Sequence, residues 1–492
     1  MIRLIASILI ALGSLIFSDS LKAQEPSATI RLIAVDPTGG NASGPTDLHS
    51  EFPVGPAPLP LRHLPPVEVG GSENTPAWSP FPDPVPCETL VGYAMAHNRE
   101  IQAARYKARA LAARVPQATS LPDPKLMTNA FLQSIQTAAG PQDVVLGLSQ
   151  HFPWFGKRAL RGEVAQYDAM AAYARVTAVE LTVAERVKQA YLDLYFVQSA
   201  AVETRRLQPR LEDVIKIAEE RYKTNAPGAN LQSVLQAQVA LSKLKTELIK
   251  LDAAKTSAIA KLAATLHLPP ETRLTAAARI ERPRVAETAD LLVQVAQTTQ
   301  PELIARRREI CRDRTATELA SRNYWPDATL SFNWHGIGSE GLSPVADGRD
   351  AYSLGVGVNL PIYRKRLDAA AREARCKTAS TSRAYAAKKD DIQAEIIATH
   401  AKFSEHDQIL SILEKEILPR AGQAFDLSVE AYRTGRVEFE QLIDTYRTLL
   451  NYRIDYHRRE ALRGQAMATL ERAVGSAVTA APLQAGVTPT KR

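Results

Sequence analysis

The sequence predicts a mainly α-helical fold with a small β part, built as a duplicated helix-strand-strand-helix-helix unit. Three observations carry that prediction. Ala, Gln, Leu, Arg and Glu dominate long stretches while aromatics make up only 6% of the chain, a bias that favours long helices. Only four segments alternate apolar and polar residues with period two, as strands do. The motifs of the first half return in the same order about two hundred residues later.

The chain of 492 residues is long enough for two or three ordinary domains or one large repeat architecture. The formal charge is +7, with no compact Lys/Arg cluster interleaved with aromatics, so nucleic-acid binding is not expected. At the N-terminus, "MIRLIASILIALGSLIFSDSLKAQE" joins Arg3 to an apolar run from Leu4 to Phe17, and Ser18, Ser20 or Ala23 suits the end of a cleavage site. Residues 1–23 therefore read as an export signal peptide. A membrane anchor is the alternative, but the run falls short of the roughly 20 residues a helical span needs. No Cys stands near the new N-terminus to carry a lipid. Cys87, Cys311 and Cys376 form an odd, widely spaced set, which fits neither a disulfide framework nor a zinc site. Beyond residue 26 no apolar run reaches 18 residues, so a bundle of membrane-spanning helices is excluded. An exported chain of this kind is periplasmic, secreted, or a β-barrel in an outer membrane.

Residues 24–86 hold 14 of the 31 prolines and read as a disordered arm that cannot propagate a helix. The tail 476–492 is weakly patterned. The body between them divides into repeats at 87–280 and 281–475. Glu100 corresponds to Glu302, Pro122-Asp123 to Pro326-Asp327, Pro153 to Pro361 and Pro209 to Pro419. "AEERYKTN" likewise returns as "SVEAYRTG". The offset grows slowly along the chain, as small loop insertions would make it.

Within each repeat a first helix leads into a strand pair, expected at about 124–134 and 143–152, then at about 327–336 and 351–360. Tyr352, Leu354, Val356, Val358 and Leu360 face one way; Ser353, Gly355, Gly357 and Asn359 face the other. Ala328, Leu330, Phe332 and Trp334 alternate with Thr329, Ser331, Asn333 and His335. Strands of about ten residues, apolar on one face and small or polar on the other, suit a transmembrane barrel. A soluble sandwich strand has the same alternation; the export signal and the small number of strands favour the barrel.

The strands give way to long helices, Lys157 to about Thr224 and Lys365 to about Thr434. Val183, Val187, Ala190, Leu194, Val197 and Ala201 step by fours and threes, the spacing of a packed helical seam. About 67 helical residues would reach roughly 100 Å. Turns follow at "TNAPGAN" and "TGRVE", and return helices run to about His267 and Val474. The strand-to-helix junctions, "FPWFGKR" and "LPIYRKR", supply Pro153, Trp154 and Gly156 in the first repeat and Pro361 and Tyr363 in the second. Proline lacks an amide donor and suits a strand end or the first turn of a helix. Trp154 and Tyr363 are expected where a barrel meets water, with Lys157, Arg158, Arg161, Arg364, Lys365 and Arg366 just outside the lipid. An ordinary strand-to-helix turn explains one such motif; its recurrence favours the membrane junction.

Four strands cannot close a membrane barrel, and open edges cannot face lipid. Other copies must complete the sheet: two would give eight strands and little lumen, three would give twelve and a channel.

At this point the sequence resembles a known family, the TolC-like outer-membrane efflux factors. The resemblance covers essentially all of 87–475. It rests on the duplicated order together with "AMAHNREIQAARYKARALAARVPQA", "LPDPKL", the "FPWFGKR" junction and the hairpin tip "YRTGRVEFEQLIDTYR". Some motifs are similar to those of the metal-cation branch. The resemblance implies a trimeric channel-tunnel: a twelve-stranded outer-membrane barrel continued by a long periplasmic α-helical barrel. It also implies partners, a periplasmic adaptor protein and an inner-membrane pump, and an outer-membrane location reaching into the periplasm. The chain departs from the pattern in its enlarged first tip, where "APG" is inserted, and in its long Pro-rich arm.

No catalytic constellation is present. His97, His151, His267, His335, His400, His406 and His457 are scattered, and "GIGSEG" lies between strands and opens no helix. Neither enzyme activity nor a cofactor is expected, and no Cys/Met/His cluster supports metal handling, so drugs or other small molecules stay open as cargo beside metal cations. The resemblance implies instead that carboxylates near the second hairpin tip ring the periplasmic entrance. Asp444 matches one such position, the other falls on Gln441, and Gln236 is the first-repeat counterpart of Asp444. The alternative for Asp444 is an ordinary exposed acid on a helix. The leading function is a passive efflux conduit for small molecules or metal cations; the alternative is a periplasmic coiled-coil adaptor or scaffold without a pore.

Overall fold

The duplication is written into the helix caps. In the computed structural model, which describes residues 81–478 except 227, 284, 286, 287 and 343, helices α1 (Cys87–His97) and α2 (Arg99–Ala112) meet at Asn98. The Asn98 side chain accepts from the backbone N–H of Glu100 at 2.8 Å and of Ile101 at 3.2 Å, satisfying donors that the helix start leaves orphaned. In the second half α6 (Ala289–Thr299) and α7 (Pro301–Arg322), which come later in the chain, meet at Gln300 in the same way. Gln300 accepts from Glu302 and Leu303 N–H. The apolar residues around the two caps match as well: Leu90, Ala94 and Ile101 are buried in one, Leu292, Ala296 and Leu303 in the other. The predicted signal segment, most of the Pro-rich arm and all but the start of the tail lie outside the described residues.

After α2 and a short α3 (Arg114–Thr119) come β1 (Lys125–Thr137) and β2 (Gly140–Phe152), then α4 (Lys157–Lys223) and α5 (Leu231–Leu266). After α7 come β3 (Ala328–Ile337), β4 (Ala351–Val358), α8 (Arg364–Ile412), a π turn over Leu413–Ile417, α9 (Leu418–Arg433) and α10 (Phe439–Val474). The first hairpin is tighter than its sequence suggests. Gly140 at φ 129° turns the chain directly from β1 into β2, so both strands run three residues further toward the turn. β4 ends at Val358, two residues before the expected limit, with Asn359 spent on bonds to Asp327 across the sheet end.

The four strands form one antiparallel sheet in the order β1-β2-β3-β4. Toward the helix end of the sheet the register carries across all strands: Leu126 lies opposite Leu148, Leu148 opposite Phe332, and Phe332 opposite Leu354, with irregularities nearer the first hairpin between Ala130 and Ile135 and between Gln142 and Val144. One face is thus apolar across all four strands and open to the surroundings, with Leu126, Leu354 and Val356 each at least 70% exposed. The other face carries small and polar groups linked across strands, such as Asn333 Nδ2 to Ser353 Oγ at 3.3 Å. An apolar surface of this extent is not left to water. Among the described residues the outer edges of β1 and β4 have no strand partner.

The helices pack along their length. The seam in α4 forms as its spacing predicts: Val183, Val187, Ala190, Leu194 and Ala201 are buried, joined by Tyr191 and Tyr195, while Val197 is half-buried. By helical rise α4 alone is about 100 Å long. Pro209 does not interrupt it, and Leu207 and Leu211 are buried on either side. The matching Pro419 has a different outcome: α8 does not run on to Thr434 but passes through the π turn just before Pro419. There the flanking Ile417 and Ala421 are only half-buried, so packing does not hold the helix through the missing hydrogen bond.

Between the repeats the chain crosses the bundle. His267, in the left-handed region, ends α5. Val85 then pairs with Ala276, and the Tyr191 hydroxyl donates to the Val85 carbonyl at 2.9 Å and accepts from Ala277 N–H. Further on, Arg282 joins Glu460 and Glu414. No helix among the described residues is long and apolar enough to cross a membrane.

Candidate functional site

Two regions carry the candidate residues: the strand-to-helix junctions and the hairpin tips. The first junction is closed by residues from both repeats. Gly156 adopts φ 83°, which lets the chain turn from Pro153-Trp154 into α4. The turn delivers Lys157 inward, its side chain only 3% exposed, where Nζ contacts Asp327 Oδ1 at 2.8 Å and donates to the Trp325 carbonyl at 2.9 Å. The Trp154 N–H donates to the same Asp327 Oδ1 at 2.7 Å. The Trp154 ring is half-buried and stacks on Trp325, centroids 5.4 Å apart and planes 11° from parallel. Phe155, by contrast, is 84% exposed.

The second junction has the same motif without these contacts. Pro361 is half-buried, Tyr363 is 71% exposed, and Arg364 stands where the first junction has glycine. By the offset that aligns Pro153 with Pro361, Tyr363 matches Phe155 and Ile362 matches Trp154. The most exposed ring of each junction is therefore Phe155 or Tyr363, while Trp154 lies half-buried against Trp325. Sequence reasoning passed over Phe155, Trp325 and Asp327. Asp327 was visible as half of a repeated Pro-Asp motif, but nothing local ties it to a lysine 170 positions away.

At the other end the two tips pack on one another. Both helices before the tips end alike: Thr224 and Thr434 N–H bond to the Glu220 and Glu430 carbonyls, and Asn225 and Gly435 adopt positive φ. Arg221, from the end of α4, donates to the Tyr432 carbonyl and lies over the Tyr432 ring at 4.6 Å. Phe425, Tyr432, Phe439 and Leu442 share a buried cluster with Leu207, Leu211 and Val214. Burial pushes the Tyr446 phenol up to about 12, and its hydroxyl donates to the Leu207 carbonyl at 3.3 Å.

The structure brings Gln441 and Asp444 together. Both line an open groove of about 530 Å³ between α9 and α10, with Glu438 and Glu440 at its rim. Asp444 is 73% exposed and has Arg447 at 3.4 Å one turn on, an exposed pair of little energetic weight. Gln236 is half-buried on α5 and does not line that groove. The first tip presents Asn230, Gln232 and Gln236 where the second presents Glu438, Glu440 and Asp444, so acid is confined to the second. Among the described residues no group of three or more His, Cys, Asp or Glu is placed to hold a metal ion.

No family model matches the chain. The cobalt-zinc-cadmium resistance protein CzcC of Cupriavidus metallidurans is 21% identical over 408 residues, 80% of this chain and 90% of that protein. The outer-membrane channel OprN has a TM-score of 0.66 at 17% identity, covering 80% of this chain and 90% of that one. CusC, solved in a study of transmembrane channel formation, gives 0.67 at 16% identity over 79% and 92%. The outer membrane protein VceC of Vibrio cholerae gives 0.65 at 19% identity over 80% and 96%. The likeness covers about four fifths of this chain and nine tenths or more of each solved channel. The chain therefore has the fold of these outer-membrane channels, the fold that its sequence resemblance to the TolC-like factors implies.

Proposed function

We propose that three copies of this chain form an outer-membrane channel-tunnel, the passive exit conduit of a tripartite efflux system. The sheet carries the reading. Its apolar face is exposed, and its two outer edges lack partners among the described residues. Such edges are not tolerated in lipid, so the sheet must be completed by like sheets. Three copies supply twelve strands, within the range of known membrane barrels. Helices about 100 Å long then continue from the sheet toward the periplasm, and the tips meet a periplasmic adaptor and an inner-membrane pump. The chain performs no chemistry on its cargo.

At the tips, three Asp444 side chains ring the entrance in this reading, with Gln441 softening the ring. Like charges near one axis repel, and a passing cation relieves them. The relative named for cobalt, zinc and cadmium resistance makes divalent metal cations the first cargo to test. The experiment is extraction from outer membranes followed by current recording in planar bilayers. Discrete channels from a protein that leaves the membrane only with detergent support the conduit. A protein released by salt alone that carries no current would instead be a periplasmic scaffold. Deleting the gene and screening metals and drugs for raised sensitivity identifies the cargo.

A further inference from the structure

Each repeat contributes one strand-to-helix junction and one Pro-Asp strand entry. Within the chain one such pair is joined: β2 runs beside β3, and Lys157 after β2 holds Asp327 before β3. The other pair is split between the ends of the sheet. Lys365 follows β4, Asp123 precedes β1, and both residues are exposed. Lys157 and Asp327 hold one another, whereas Lys365 and Asp123 make no hydrogen bond or ion pair with the described residues. The exposed edges of β1 and β4 end at the same two places.

Resting on the trimer reading above, we infer that Lys365 of one copy closes on the partner subunit's Asp123, repeating between copies the Lys157–Asp327 contact made within the chain. The two offsets of the repeat fix the strand register. Lys157 and Pro153 map to Lys365 and Pro361, and Asp327 maps back to Asp123. Gln150 opposite Leu330 becomes Val358 opposite the partner subunit's Leu126; Ser149 opposite Ser331 becomes Gly357 opposite the partner subunit's Met127; Leu146 opposite Trp334 becomes Leu354 opposite the partner subunit's Ala130. This register passes a separate check. Leu126, Ala130, Leu354 and Val358 all belong to the apolar face, which therefore continues unbroken across the subunit boundary. A slip of one residue would turn one copy's apolar face inward. The basic and acidic ends also stand on opposite edges, so each copy offers one lysine and receives one, and three copies close a ring with none left over.

Two measurements test the pairing. In the first, Asp123→Lys and Lys365→Asp are made singly and together, and the thermal dissociation of the detergent-solubilised trimer is followed. Each single reversal should lower the dissociation temperature by several degrees, and the double variant should recover most of the loss. In the second, Cys87, Cys311 and Cys376 are replaced by Ser, and Gly357→Cys is combined with Met127→Cys. A Cβ at Gly357 meets nothing closer than 3.8 Å, so the site accepts the side chain. Directly opposed Cβ atoms lie within about 5 Å, and oxidation should give covalent dimers and then covalent trimers. Gly357→Cys with Asn129→Cys, slipped by one repeat of the pleat, should crosslink poorly. A trimer of measured mass in which charge reversal has no effect, or in which the slipped pair crosslinks better, overturns this pairing and leaves the trimer standing. A wild-type chain that is monomeric in detergent overturns both.

Discussion

The two strand-to-helix junctions begin from one motif and end in different environments. At the first, Gly156 turns the chain, Trp154 stacks on Trp325, and Lys157 is buried against Asp327. At the second, Arg364 replaces the glycine, Tyr363 is exposed, and Lys365 has no partner among the described residues. The difference follows from position in the sheet. The first junction leaves an inner strand, beside which the second repeat supplies the aspartate. The second leaves an edge strand, where the proposed trimer would set another copy's aspartate. On that proposal a duplicated unit completes one of its two junctions alone and leaves the other to assembly.

The largest expected contrast is between the two aspartates. Asp327→Ala would strand the buried Lys157 ammonium, and removing one partner of a buried ion pair costs about 3 kcal/mol or more. Asp123→Ala touches an exposed group and should change the unfolding of the dissociated chain by less than ~0.5 kcal/mol. Denaturant unfolding of both variants as dissociated chains checks this. Equal losses would erase the distinction between the junctions.

The return helices show the same inequality. Glu460 on α10 is buried among Tyr195, His457 and Arg282, whereas its first-repeat counterpart Asp252 is an exposed partner of Arg205. Burial alone would push the Glu460 carboxyl up, but hydrogen bonds from His457, Tyr195 and Arg282 outweigh it and hold the carboxyl below its ordinary value. A depressed carboxyl contributes stability above the unfolded pKa of about 4.3, and that contribution is lost as pH falls through the lower folded value. Glu460→Gln should cost about 2 kcal/mol at neutral pH and flatten the acid limb of a stability-against-pH curve. Asp252→Asn, at an exposed pair, should cost less than ~0.5 kcal/mol.

Gly156 sharpens the junction comparison by a smaller amount. A side chain at its positive φ costs about 1–2 kcal/mol, so Gly156→Ala should lower the melting temperature in detergent. Arg364→Ala, at a helix start with ordinary backbone, should be within ~0.5 kcal/mol of wild type. The smallest stability effect belongs to the tips. Asp444→Asn should unfold with wild type to within ~0.5 kcal/mol yet weaken block of the current by divalent cations from the periplasmic side. Identical block curves would place Asp444 on an ordinary wet helix face.

Much of this architecture was legible in the chain. Period-two alternation in "YSLGVGVNL" and the fours and threes from Val183 to Ala201 depend on neighbours a few residues apart, and they located strands and seam. The repeat offsets matched the halves, and the match of Glu100 to Glu302 sets Asn98 against Gln300, whose capping only the structure shows. What stayed hidden depends on distance along the chain. Lys157 reads as one more basic residue outside a membrane until β2 and β3 are laid side by side. Trp154 reads as an interfacial aromatic, and nothing in its neighbourhood along the chain announces that Trp325 stacks on it. Pro209 and Pro419 look equivalent, and only the burial of their neighbours separates a continuous helix from a π turn.

The central claim is that this chain is one third of a closed barrel. The most direct measurement is the native mass of the mature protein extracted from outer membranes in mild detergent. Three copies per particle, with no smaller species that conducts, is the expected result. A stable monomer that forms channels in a planar bilayer would contradict it, because four strands with open β1 and β4 edges would then be closing a pore alone; a conducting dimer would contradict it too, because eight strands leave little lumen.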